Sequence, residues 1–276
     1  YLLLQWPTQA NTPESVEEIS NNIILENDSE DLLSPLESPT LDAPSPGGAI
    51  DQKASTGKVF TVENDTLLIE LDSTSGRLIS SKLKFIKSSK GGEEDFGIFG
   101  PTGSNFYSAN SGFFNKSQGY LQPKFTKFSS YAGQQSSKIY ELQGESSGLV
   151  FKRKIQLYPG KYYLEIEDSV EGGLPGIDVE VTPYVVIERS DEEVEEGGLA
   201  YTYLGPVFST QNERFEKYDF DDIDDSNFKQ QSGGGWVSLI QHYFVTAWIP
   251  DQTKSYLYQG RKSASTGRYS VGYTTS

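Results

Sequence analysis

The sequence predicts an antiparallel β-sandwich built from many short strands. Seventeen Tyr, fifteen Phe and 27 Gly among 276 residues favour β structure that is interrupted by many turns. Short runs of alternating apolar and polar residues, separated by turn residues, follow one another from residue 59 onwards. A helical spacing of apolar residues stands out only near 236–242. Many strands and one short helix are typical of packed antiparallel sheets.

Two hairpins carry the clearest alternation in the chain. Between Leu149 and Val170, apolar residues share one parity and charged residues the other, and Pro159-Gly160 supplies the turn. A similar pattern runs from Thr66 to Ile86 through the turn residues 73–76. Arg153 interrupts the apolar parity, which predicts that it lies near a strand end or extends its charge to solvent.

Residues 233–250 form the densest apolar run of the sequence. Its first apolar residues recur at the i, i+3, i+4, i+7 spacing of a helix: Trp236, Leu239, Ile240 and Tyr243. We therefore predict a short helix over 236–242, followed by an aromatic and β-branched strand that ends at Pro250. One continuous strand is the alternative, because both parities carry apolar residues.

The first 57 residues differ in composition from the rest. Residues 7–57 are acidic, contain six prolines and carry a single basic residue, Lys53. Low hydrophobicity with high net charge resists collapse, which predicts a disordered, solvated linker. Residues 1–6 (YLLLQW) are either a frayed terminus or the outer end of a truncated transmembrane helix.

The composition also bounds the function. A formal net charge of −16 makes nucleic acid and anionic lipid surfaces poor partners. The chain has no Cys and one His, His242, so it lacks the residues of a zinc site or a nucleophile–base pair. No pair of carboxylates stands out for glycoside hydrolysis. We predict no catalytic residue, no metal and no cofactor.

An acidic cluster at 219–225 is the best metal candidate by composition. An EF-hand loop that began at Asp222 would place Asn227 at its turn glycine and Gly233 at its bidentate Glu. A loop that began at Asp219 would place Ile223 on a ligand position. We therefore expect a solvated acidic loop, with a weak calcium site as the alternative.

Three motifs resemble the large periplasmic domain of YidC-type membrane protein insertases. They are Gly-Gly-Trp-Val at 234–237, Tyr-Phe at 243–244 followed by Thr-Ala-Trp-Ile-Pro at 246–250, and Phe-Glu-Lys-Tyr-Asp-Phe at 215–220. The two hairpins also resemble that domain, although Arg77 stands where the family usually has a second turn glycine. The resemblance covers residues 58–276, together with residues 1–6 as the outer end of a truncated transmembrane helix.

The resemblance implies a β-supersandwich, similar to sugar-binding and mutarotase-like domains, on the periplasmic side of a Gram-negative inner membrane. It implies a parent protein that inserts and folds membrane proteins, alone or with the Sec translocon. No insertase residue can be transferred, because the insertase core is not in this sequence. The family pattern continues past Ser276, so we expect a longer protein and an open sheet edge.

The function of residues 58–276 is then a question of binding. We expect an accessory docking domain whose partner-binding residues are Phe215, Tyr218 and Phe220, because aromatic residues among acids at a loop are unusual in a core. The alternative for these three residues is that they anchor the loop to the sandwich. The alternative function is a carbohydrate- or peptide-binding module, and a sugar-active enzyme is a third hypothesis.

Overall fold

A computed structural model describes residues 58–88, 91–102, 105–115, 119–172, 181–190, 203–241, 244–264 and 266–275. The predictions made for residues 1–57 and for His242 lie outside the described residues.

Strands dominate the described chain. They are β1 Val59–Glu63, β2 Leu67–Asp72, β3 Leu78–Lys87, β4 Asp95–Thr102, β5 Asn105–Asn115, β6 Gly119–Leu121, β7 Lys124–Ala132, β8 Lys138–Ser146, β9 Leu149–Leu157, β10 Leu164–Gly172, β11 Thr182–Arg189, β12 Leu204–Ser209, β13 Glu216–Lys217, β14 Phe228–Gly233, β15 Trp236–Gln241, β16 Phe244–Trp248, β17 Ser255–Lys262 and β18 Tyr269–Thr275. Among the described residues, a 3-10 turn spans Gln134–Ser136, and one short helix, α1, spans Phe220–Asp225.

Three antiparallel sheets form from these strands. The largest has ten strands in the order β1-β2-β3-β4-β5-β11-β18-β17-β14, with β6 paired to β5. A four-stranded sheet has the order β10-β9-β8-β7, and a second has the order β13-β12-β15-β16. We call these the large sheet, the first small sheet and the second small sheet. Their antiparallel pairing confirms the predicted fold class.

Each small sheet shares one hydrophobic core with the large sheet. The first core joins the first half of the large sheet to the first small sheet and contains Val62, Leu67, Ile69, Leu71, Leu83, Phe113, Leu121, Phe125, Tyr140, Leu142, Leu149, Phe151, Ile155 and Leu157. The second core joins the other half to the second small sheet and contains Tyr107, Ala109, Ile187, Phe208, Ile223, Phe228, Val237, Leu239, Tyr256, Tyr258, Tyr269 and Val271. Ile98 packs against both cores.

Both predicted hairpins are confirmed. Strands β9 and β10 pair with Leu157 opposite Leu164, and β2 pairs with β3 from Leu67 opposite Leu83 onwards. Along β9 the buried residues occupy one parity, so the alternation in the sequence reports directly which face packs on the core.

The prediction for Arg153 is wrong. Arg153 lies in the middle of β9 and is only 4% exposed. Its Nε and Nη2 donate to the two carboxylate oxygens of Asp168, both at 2.8 Å, and its Nη1 donates to the carbonyl of Gly76 at 3.1 Å. A guanidinium can be buried because this two-pronged ion pair and the carbonyl replace its hydration.

The predicted helix at 236–242 is also wrong over its described part. Residues 236–241 form strand β15, which lies between β12 and β16 in the second small sheet. Val237, Ser238 and Leu239 are each no more than 1% exposed. A central strand that buries both faces carries apolar residues at both parities, and here that pattern coincides with helical spacing.

Candidate docking site

The segment between β12 and α1 carries the three predicted docking residues. A turn opens it, in which the backbone N–H of Thr210 donates to the carbonyl of Glu213 at 2.7 Å. Strand β13 then pairs with β12, which returns the chain to the second small sheet. Asp219 caps the helix that follows. The segment is therefore held by backbone hydrogen bonds at its start and along β13, and by the side-chain cap of Asp219 at its end.

Phe215 is the exposed member of the three. Its side chain is 51% exposed, and its ring lies edge-on to Trp236 with centroids 6.0 Å apart. Trp236 covers part of the ring, and about half of the side chain remains accessible to another molecule. This geometry is typical of an aromatic residue at an interface.

Tyr218 and Phe220 anchor the segment to the sandwich. The Tyr218 hydroxyl donates to the carbonyl of Ser226 at 2.8 Å, and its ring meets Phe228 edge-on at 5.1 Å. Phe220 lies against Tyr269 with ring centroids 4.5 Å apart. Both side chains pack on the second core. These contacts correspond to the anchoring alternative, so the three predicted residues divide into one exposed aromatic and two anchors.

Further exposed apolar side chains lie on strand β16 of the second small sheet and directly after it. Strand β16 is an edge strand among the described strands, because it pairs only with β15. Its residues Val245 and Ile249, the latter just beyond the strand, are 41% and 59% exposed. Val237 pairs with Trp248, so Ile249 continues the register opposite Trp236. We call Phe215, Trp236, Val245 and Ile249 the apolar rim.

The sequence predicts only one member of the apolar rim. Its signal for the others is the alternation Val245, Ala247, Ile249, which places every second residue of β16 on one face. The alternation alone does not show which face of β16 is exposed. If 236–242 is interpreted as a helix, β16 has no partner strand to define its two faces. The rim therefore depends on the pairing of β15 with β16, which no local pattern specifies.

Charged groups surround Phe215. Arg214 and Lys217 are exposed neighbours, and the Lys217 ammonium lies 4.7 Å from the centre of the Tyr203 ring. Burial, with a contribution from the negative charge of Glu213, raises the pKa of the Glu216 carboxyl above its usual value. The rim is thus an apolar surface with a charged margin, an arrangement suited to contact with a protein.

The acidic cluster at 219–225 is a helix rather than the predicted loop. Asp219 accepts from the backbone of Asp222, and the Asp222 side chain accepts from the backbone of Asp219, both at 3.0 Å. This reciprocal capping box starts α1. Asp224 accepts from Lys262 at 2.8 Å, and that hydrogen bond lowers the pKa of the Asp224 carboxyl.

The carboxylates of Asp219, Asp222 and Asp224 therefore have structural partners. Within the described ranges, no group of three His, Cys, Asp or Glu residues is arranged to hold a metal ion.

In the part of the chain that the structure describes, no helix is both long enough and apolar enough to cross a membrane.

Comparison with known proteins identifies the family. A family profile described as the YidC periplasmic domain matches residues 59–276. The chain is 30% identical over 217 residues to "Membrane protein insertase YidC" of Haemophilus influenzae (strain ATCC 51907 / DSM 11121 / KW20 / Rd), covering 76% of this chain and 40% of that protein. It is 26% identical over 277 residues to the protein of the same name from Shewanella woodyi (strain ATCC 51908 / MS32), covering 98% of this chain and 49% of that protein. The chain thus spans less than half the length of these relatives, and over residues 59–276 it belongs to the YidC periplasmic domain family.

Proposed function

We propose that this chain is the periplasmic domain of a membrane protein insertase of a Gram-negative inner membrane. The family assignment and the names of the relatives support this. The chain covers at most 49% of the length of the relatives quoted above. We assign the insertion reaction to the part of those relatives that this chain does not cover. The parent protein would insert and fold inner-membrane proteins, alone or with the Sec translocon.

In this proposal the domain is an accessory docking domain and has no enzymatic activity. Its partners are components of the Sec translocon, and nascent membrane proteins contact the parent protein. The observation that carries the docking role is the apolar rim, in which Phe215 and Ile249 are each more than half exposed. Large exposed apolar side chains at one place are typical of interaction surfaces.

The chemistry of the rim specifies the kind of partner. Phe215 and Trp236 offer aromatic surface, which contributes strongly when a partner removes it from water. Strand β16 is an edge strand among the described strands, and an extended segment of a partner can add to it. The margin of the rim carries charges of both signs, with Glu213 and Glu216 beside Arg214 and Lys217, and so favours a partner margin of mixed charge. We therefore expect an apolar partner surface flanked by charged residues of both signs.

Co-purification from native membranes tests the docking role. Phe215→Ser combined with Ile249→Ser removes the two most exposed apolar side chains of the rim without altering either core. We expect the variant to lose the Sec components that co-purify with the unmodified protein. The matched control is Phe85→Ser, which removes a 69% exposed aromatic residue on β3, outside the second small sheet.

The control should retain the Sec components. If the double variant also retains the Sec components, the docking role of the rim is refuted. The parent protein should also be much larger than the 30.6 kDa of this chain and should fractionate with the inner membrane. A soluble protein of that mass would refute the assignment to an insertase.

A further inference from the structure

A polar cavity lies where the turn between β2 and β3 meets strands β5, β9 and β11. Its volume is about 50 Å³, and its lining includes polar residues from separate segments of the chain: Ser75, Arg77, Ser111, Gln122, Arg153 and Tyr184. The wall also contains Phe113, Leu121 and Phe125, which are buried in the first core. Gln122 is exposed, so the cavity leads from the surface towards that core. We call it the arginine cavity.

The backbone around Arg77 is fixed beside the cavity. The carbonyl of Gly76, which precedes it, accepts a hydrogen bond from Arg153 Nη1 at 3.1 Å. The backbone N–H of Leu78, which follows it, donates to Asn110 Oδ1 at 3.0 Å. One neighbour is therefore held by the first small sheet and the other by β5 of the large sheet. This arrangement positions the Arg77 side chain without any contact made by its guanidinium.

The cavity contains hydrogen-bond donors that the protein does not use. Within the described ranges, the Arg77 guanidinium makes no hydrogen bond and no ion pair. The Tyr184 hydroxyl has no hydrogen-bond partner in the same part of the chain. The three hydrogen bonds of Arg153 leave further N–H groups on Nη1 and Nη2. Unused donors that line one cavity indicate a ligand with acceptor oxygens.

Gly112 gives the Tyr184 phenol its position. The two residues lie directly opposite each other in the pairing of β5 with β11. A Cβ added to Gly112 would lie 2.7 Å from Tyr184 Oη and 2.8 Å from its Cζ, so the phenol crosses the β5 backbone at a place that only glycine leaves open. The Tyr120 ring meets the Tyr184 ring edge-on, with centroids 5.5 Å apart. Packing therefore holds the hydroxyl at the cavity.

Both arginines of the cavity lie close enough to Tyr184 to affect its ionisation. Burial raises the pKa of the Tyr184 phenol, and the positive charges of Arg77 and Arg153 oppose this rise. Glu188 acts in the same direction as burial. Because the pKa is above its usual value, the phenol is protonated at neutral pH and can donate a hydrogen bond.

The carboxylates near the cavity do not neutralise it. Among the described residues that line it, none is Asp or Glu. Asp168 is paired through both of its oxygens with Arg153. Glu188 lies outside the lining, and three arginines act on its charge, Arg77 most strongly. The lining of the cavity therefore keeps an excess of positive charge, in a chain whose net charge is −16.

We propose that the arginine cavity binds the carboxylate of a small monocarboxylic acid. The Arg77 guanidinium pairs with the carboxylate oxygens, because its planar donors match a planar group with two oxygens. The Tyr184 hydroxyl donates a further hydrogen bond, and the apolar wall receives a short hydrocarbon chain. A volume of about 50 Å³ holds roughly four water molecules, so propionate fits and a sugar ring does not. This site does not depend on the docking role of the apolar rim.

Titration of the full chain with sodium propionate at constant ionic strength, followed by NMR, tests the proposal. We expect saturable shifts of the backbone amide signals of Arg77 and Gly112. Propionamide has nearly the same shape but no charge, so it should produce no saturable shift over the same range of concentrations. The comparison of the two ligands needs no substitution and so does not depend on the folding of a variant.

Two variants test the residues that hold the carboxylate. Arg77→Gln should weaken propionate binding by about tenfold or more, which corresponds to the loss of roughly one charge-assisted contact. Tyr184→Phe removes only the hydroxyl and should weaken binding by about threefold to tenfold. Arg214→Gln, which replaces an exposed arginine beside Phe215, is the matched control and should bind normally.

Several outcomes would contradict the proposal. Shifts that do not saturate, equal shifts with propionamide, or unchanged binding by Arg77→Gln would overturn it. Tighter binding of inorganic phosphate than of propionate would overturn the assignment to carboxylates. Unchanged binding by Tyr184→Phe would overturn the role given to the hydroxyl.

Discussion

The buried ion pair of Arg153 with Asp168 allows a quantitative test of what holds strands β9 and β10 of the first small sheet together. Replacement of Asp168 by Ala leaves a guanidinium that is 4% exposed without its counterion. Two hydrogen bonds of 2.8 Å are lost, while the bond to the Gly76 carbonyl remains. A buried charge left without its partner typically destabilises by about 3–5 kcal/mol. We expect Asp168→Ala to lower the free energy of unfolding by about that amount.

The assay is equilibrium unfolding of the full chain in urea, followed by circular dichroism. Glu171→Ala is the matched control in the same hairpin, because Glu171 pairs with Lys152 at 2.7 Å while both side chains are about half exposed. An exposed pair contributes about 0–1 kcal/mol, so this variant should unfold almost normally. Equal destabilisation by Asp168→Ala and Glu171→Ala would refute the reasoning.

A double variant separates the charge from the packing. Arg153→Met with Asp168→Leu replaces the ion pair with apolar side chains, so no unpaired charge remains. Such replacements are often neutral or stabilising. We expect the double variant to be more stable than Asp168→Ala, and a lower stability than that single variant would contradict the explanation by desolvation.

Three further changes have expected outcomes. Gly76 has φ +66°, and a Cβ added there would contact the Phe125 ring, so Gly76→Ala should lower the urea midpoint. Gly91 has φ +79° and open space around it, so Gly91→Ala measures the cost of the backbone conformation alone. Asp219→Ala removes the N-cap of α1 and should cost about 1 kcal/mol in the same assay, and an unchanged midpoint would refute the capping role. Burial raises the pKa of Glu188 in the folded state. The contribution of Glu188 to the stability of the fold is therefore fully present below its unfolded pKa and is lost as pH rises through its folded pKa. Glu188→Gln should therefore be more stable than the unmodified chain at neutral pH, and the difference should shrink towards pH 4; a constant difference would contradict it.

The hairpins were predictable because their information is local. The alternation on β9 and the Pro159-Gly160 turn both lie within one short segment. The position of Arg153 was not predictable from the same pattern, since its partner Asp168 is 15 residues away on β10. Only the register of the two strands places the charges opposite each other.

The errors at β15 and at the acidic cluster have a related physical origin. Tertiary contacts bury both faces of β15, and local spacing cannot distinguish this from a helix. At 219–225 the spacing of Asp219 and Asp222 is that of a helix capping box. The abundance of acidic residues instead suggested a loop or a metal site, so the helix was not predicted. The apolar rim gathers Phe215, Trp236 and Ile249 from three separate segments, so a reading of single segments finds only the first.

Site-specific photo-crosslinking in living cells tests the central claim most directly. A photoreactive phenylalanine analogue at position 215 would probe the apolar rim, and the same analogue at the exposed Phe85 would serve as the control. The proposed docking role predicts a covalent adduct between position 215 and a Sec translocon component, with no such adduct from position 85. No adduct at position 215, or the same adducts from both positions, would contradict the assignment of the rim as a docking surface.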